Sequence, residues 1–88
     1  MQLTDEQQNI LATARDRFGA RNQIVHAMQE SAEYQVELSK FICGGFDRHK
    51  LMSEMADNRI MEIHVMEILE IYEEDLKPII DAKINRLK

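Results

Sequence analysis

Apolar residues recur at helical intervals along almost the whole chain, and the breaks in that pattern divide it into four segments. Thr4 followed by Gln7 has capping-box spacing, and Ile10, Leu11, Ala14 and Phe18 repeat behind it until Gly19, a residue suited to end a helix. From about Asn22 to Cys43 there is no breaker. Ile24, Ala27, Met28, Val36, Leu38 and Ile42 form a broad apolar band there, which Gly44-Gly45 terminates. Asp47 is placed to cap a third helix of roughly 25 residues, through Leu51, Met55, Met61, Val65, Ile68 and Tyr72. The segment from Glu73 to Pro78 supplies acids and a proline suited to a first helical turn, and Ile79, Ile80, Ala82, Ile84 and Leu87 continue a fourth helix.

The pattern predicts an all-α fold: one domain over residues 1–88, a small antiparallel bundle of about four helices joined by short connections. In its second half the third helix is apolar on nearly every side, because Ile60, Ile63, Met66 and Ile71 lie off its main stripe. A chain of 88 residues cannot cover that surface by itself, so a second copy is expected to do so, as a dimer or a dimer of dimers. Methionines at helical spacing belong to the same core and interface, and Phe18 and Phe46 beside the turns read as packing residues.

Composition sharpens this picture in three ways. Only three Gly, one Pro and no Trp suit helices better than a turn-rich sandwich. The net charge of -5 carries no basic run, which argues against duplex nucleic acid as a partner. The polar start and the lack of any apolar run near the ~20 residues of a membrane span predict a soluble cytoplasmic protein without a membrane partner. Cys43 has no second cysteine and no metal-ligand spacing around it, and reads as a structural thiol.

Acidic residues interrupt the pattern at two places. On the second helix Glu30, Glu33 and Glu37 share a strip with His26, with Lys40 at its edge, opposite the apolar band. A solvated face explains this strip taken alone. On the third helix Glu54 and Asp57 fall in line with Met61, Val65, Ile68 and Tyr72, where solvation is a weaker explanation. A turn at Gly44-Gly45 folds the two helices antiparallel and brings Glu33 level with Glu54, so four carboxylates converge. Such a cluster repels itself unless a divalent cation neutralises it, and an all-oxygen donor set suits Mg²⁺ or Mn²⁺ better than zinc. A di-iron carboxylate centre would need Glu-x-x-His pairs, yet Gln23, Phe46 and Met61 stand three residues before His26, His49 and His64. Mg²⁺ is commonly shared with substrate phosphates, which directs attention to phosphate chemistry.

Glu30-Ser31-Ala32-Glu33 followed by Glu54-Met55-Ala56-Asp57 resembles the ExxE...ExxD signature of the MazG-like, all-α nucleoside triphosphate pyrophosphohydrolases. Phe18-Gly19, Asn22-Gln23, Leu38-Ser39-Lys40 before a glycine turn, Ile60-Met61 and Lys83-Ile84-Asn85-Arg86-Leu87 are similar to the short, phage-type members. The resemblance implies a Mg²⁺-dependent hydrolase that cleaves a nucleoside triphosphate to the monophosphate and pyrophosphate. Glu30, Glu33, Glu54 and Asp57 would then hold the metal and serve the chemistry, one glutamate taking the proton of the attacking water. The chain departs from the family at Gln29, Glu37, Asn58-Arg59 and Glu62.

Within that reading Lys83 and Arg86 are candidates to reach phosphate oxygens, across the dimer, with Lys40 as a further one. The same basic residues complement a helix dipole, and both readings stand. His26 is either a contact to base or ribose or a solvated partner of the acids. Gln23 and Asn22 are placed to read a base edge, although Asn22 also serves as an N-cap. The alternative to the enzyme is a helical module that binds a nucleotide or a protein without turnover.

Overall fold

Thr4 caps the first helix as its spacing predicts: its Oγ1 accepts from the Gln7 N–H at 3.1 Å, and the Gln7 side chain accepts from the Thr4 N–H at 2.9 Å. The structure, a computed structural model, describes residues 2–88, and four helices occupy most of them. They are α1 (Asp5–Phe18), α2 (Ala20–Cys43), α3 (Arg48–Leu69) and α4 (Glu73–Asn85). No strand occurs among the described residues, and no helix is long and apolar enough to cross a membrane.

Boundaries follow local chemistry, and three of them differ from the pattern. Gly19, at φ 84°, both ends α1 and starts α2, so α2 begins before Asn22. Asn22 is therefore no N-cap; its side-chain amide donates to the Phe18 carbonyl at 2.9 Å. Asp47 caps α3 as expected, accepting from the Lys50 N–H at 3.1 Å. At its far end α3 stops at Leu69 because Glu70 takes a left-handed conformation at φ 54°. Tyr72 thus leaves the third helix and starts the fourth, where its N–H donates to Asp75 at 2.8 Å. Pro78 falls in the second turn of α4 instead of the first.

Helices α2 and α3 form an antiparallel hairpin around Gly44 to Asp47, and their mutual face is the main packing surface. Helix α1 lies against α2 and reaches α3 through Arg15. Among the described residues, helix α4 has no packing face against the others comparable to that between α2 and α3.

The face that α2 turns toward α3 is the acidic strip, as the convergence of its glutamates with Glu54 requires, and the apolar band of α2 lies outside the hairpin. Gln23 and Glu37 are buried and Glu30 is half-buried, whereas Met28, Val36, Leu38 and Ile42 are exposed, Ile42 at 85 %. On α3 the inward positions are Leu51, Glu54, Asn58, Met61, His64, Val65 and Ile68, while Asp57 is exposed. Among the described residues Met61 is the one buried apolar side chain. Phe18 and Phe46 are also exposed, Phe46 meeting Phe41 edge to face at 5.4 Å, and Cys43 is an exposed free thiol instead of a structural one.

Candidate metal centre

Glu30 and Glu33 lie one turn apart on α2, and the antiparallel hairpin sets Glu54 of α3 against them. Each of the three offers a carboxylate oxygen, and these oxygens lie within 4.8 Å of one another. Glu30 and Glu54 are half-buried and Glu33 is exposed, so the cluster opens to solvent on one side. Glu30 Oε1 is 3.0 Å from His26 Nε2, a bond that the imidazole donates when its proton is on Nε2.

Charge repulsion in the cluster registers on Glu54. Its pKa is raised above the ordinary 4.5, first by burial and then by the neighbouring carboxylates of Glu33, Glu30, Asp57 and Glu37. Asp57 is thus near enough for its charge to act on Glu54, although it stands outside the group of three.

Two of the three acids are also incompletely satisfied. Glu30 Oε2 and Glu54 Oε2 are buried and have no hydrogen-bond partner. Buried carboxylate oxygens without partners carry a large desolvation penalty, and a cation relieves it. A hard divalent ion fits this donor set, because all the offered ligand atoms are carboxylate oxygens. Glu30, Glu33 and Glu54 are the residues that would hold it.

Next to this group sits an acid that the sequence pattern left on a solvated strip. Glu37 is 4 % exposed, and its Oε1 accepts from Lys40 Nζ at 2.9 Å and faces Lys50 Nζ of α3 at 3.7 Å. Lys40 is therefore engaged with Glu37 and beside the carboxylates. The i,i+3 spacing of Glu37 and Lys40 is the sequence signal for this pair; Lys50, reaching across from α3, gives none.

The other expected site residues are spread further. Gln23 is buried, near the start of the seam, and His26 joins that end to Glu30. Lys83 and Arg86 are exposed at the end of α4, and no hydrogen bond or ion pair links them to the carboxylates among the described residues. A second polar group, missed by the sequence reading, closes the seam beyond His26. His64 is 3 % exposed and its Nδ1 accepts from the Arg15 guanidinium at 3.2 Å. Burial first, then Arg15 and His26, hold its pKa below the ordinary 6.5. A cleft of about 450 Å³ between α1 and α3, lined by Leu11, Arg15, Ile63, Met66 and Tyr72 among others, lies beyond this pair, away from the carboxylates.

Neither a family model, nor a curated protein, nor a solved structure matches the chain.

Proposed function

We propose that the chain is a divalent-cation-dependent nucleoside triphosphate pyrophosphohydrolase on a MazG-like helical fold, yielding the nucleoside monophosphate and pyrophosphate. The observation that carries this reading is the group of three carboxylates in the α2–α3 seam, with two buried oxygens that no protein donor satisfies. When bound there, Mg²⁺ would supply charge neutralisation for the triphosphate and a water of lowered pKa. Glu30, Glu33 and Glu54 would hold it, with the exposed Asp57 as a further acid beside them. His26 braces Glu30. One of the glutamates would take the proton of the attacking water. Lys40 is a phosphate contact within the same chain, and Lys83 and Arg86 contribute from a second copy. Gln23 lies toward the end where a base would be read.

The exposed apolar band of α2 supports the second copy. Met28, Val36, Leu38 and Ile42 face solvent in one chain, while only Met61 is buried among its described apolar residues. The assembly is a homodimer or a dimer of dimers, measurable by sedimentation equilibrium.

The decisive experiment is Mg²⁺-dependent release of pyrophosphate from a panel of standard and modified nucleoside triphosphates, with wild type and Glu54→Gln side by side. Turnover by wild type, reduced about 10²-fold or more in the variant, is the expected result. Equal, background-level release from both in every well would overturn the reading.

A further inference from the structure

Helix α4 is the element that a single chain leaves bare. Of its 13 residues only Leu76 is even half-buried, and the Cα radius of gyration is 15.3 Å where a compact chain of this length has about 12 Å. A helix this short, with Pro78 in its second turn, is marginal in water unless something packs against it. It carries a face for that purpose: Leu76, Ile80 and Ile84 share one side, and Leu87 extends it past the last turn at 85 % exposure. Charge sets the direction of the partner. Glu73, Glu74 and Asp75 open the helix, Arg86 and Lys88 follow its end, and among the described residues none of these five forms an ion pair. Such charges complement the dipole of one helix, but the dipole leaves the apolar face unexplained. A second α4 running antiparallel accounts for both, because a two-fold axis then sets base against acid at each end.

The cleft between α1 and α3 supplies an independent argument. Antiparallel pairing about an axis near Ile80 carries Leu87 of the second copy to Glu73, and Glu73 lines that cleft. Its walls include Leu11, Ile63, Met66 and Ile71, with Glu67 and Glu73 as acids, while Arg15 there is engaged with His64. The arriving segment is Arg86-Leu87-Lys88, an apolar side chain between two cations. We propose that α4 is the self-association arm of this chain: it pairs antiparallel with α4 of a second copy, and Arg86-Leu87-Lys88 of each copy seats in the α1–α3 cleft of the other. The inference rests on the second copy proposed above, names the surface that joins it, and is independent of the cation. It gives Arg86 to the interface and leaves phosphate oxygens to Lys83 and Lys40.

Sedimentation equilibrium over a range of protein concentrations tests the arm. Leu87→Asp, at a position exposed in the single chain, should weaken self-association about tenfold or more. Two charge variants make the test specific. Glu67→Lys with Glu73→Lys leaves both cleft and tail basic, and Arg86→Glu with Lys88→Glu leaves both acidic. Each alone should associate about tenfold or more weakly than wild type, and an equimolar mixture should recover wild-type affinity, since each cleft then meets a tail of opposite sign. A variant that merely fails to fold does not recover on mixing, and helical circular dichroism identifies it. If wild type associates but Leu87→Asp leaves it unchanged, or mixing restores nothing, the α4 arm is overturned and the second copy survives on the apolar band of α2. Wild type that stays monomeric at every concentration overturns both, whereas pyrophosphate release judges the enzyme separately.

Discussion

Toward the Gly44-Gly45 turn, the seam between α2 and α3 gathers Glu30, Glu33, Glu37 and Glu54; at its other end it holds Gln23, Met61 and His64. Both ends bury polar side chains, and both draw on a residue from outside the seam's central rows: Lys50 at one end, Arg15 of α1 at the other. Among the described residues, no buried side-chain nitrogen or oxygen at the His64 end is left without a partner, and at the carboxylate end three are. A polar seam can therefore be closed within this chain. The carboxylate end is left open where like charges are concentrated, which is the pattern expected of a site that awaits a counter-ion.

The comparison is tested most severely by adding the counter-ion. Mg²⁺ at about 100 times its dissociation constant should stabilise the wild type by ~2.7 kcal/mol, a rise in melting temperature on the order of 10 °C for a domain of this size. Glu33→Gln should lose most of that rise. Thermal unfolding with and without Mg²⁺ reads it directly, and identical melts for wild type in the two buffers would remove the distinction between the ends.

Arg15→Met examines the closed end. It leaves the Nδ1 of a buried His64 without its donor, at a cost of about 1–3 kcal/mol in urea unfolding. Mn²⁺ affinity should change far less than it does in Glu33→Gln, since Arg15 sits at the opposite end of the seam. A loss of metal binding equal to that of Glu33→Gln would join the two ends into one unit.

The smallest effects are in the pH profile of the metal-free protein, where the two ends pull in opposite directions. His64 has a lowered pKa, so the unfolded chain binds more protons than the native one between the two values. Its contribution is fully present above about 6.5 and is lost as pH falls from there through the lower native value. Glu54 has a raised pKa, so the native state holds the extra proton. Its contribution is present below about 4.5 and is lost as pH rises through the higher native value. His64→Gln should flatten the acid-side decline, and Glu54→Gln should flatten the loss on the rising side. Parallel profiles for wild type and both variants would contradict these assignments.

Much of the fold was legible because caps and glycine turns act locally. The Thr4–Gln7 box, the Asp47 cap and the Gly44-Gly45 break all have the role that their spacing implies. The end of α3 was not legible, since Glu70 adopts a left-handed conformation for which its residue type gives no signal. The spacing of Glu30, Glu33 and Glu54 was enough to bring them together, because the antiparallel turn sets the acidic strip of α2 against α3. An apolar band does not state whether it packs within the chain or against another molecule, and the strip taken alone reads equally as a solvated face. Glu37 with Lys50 and His64 with Arg15 depend on partners far apart in sequence, and no periodicity reports such pairs.

The hairpin connection has a consequence for how the chain acquires its structure. Because α2 and α3 are joined only by the residues from Gly44 to Asp47, their mutual face forms at a small loop-closure cost and ranks among the earliest tertiary contacts. That face is also where the carboxylates meet. Refolding thus brings like charges together at the step that entropy favours most, so their mutual repulsion acts on the rate at which the hairpin closes and not only on the stability of the finished fold.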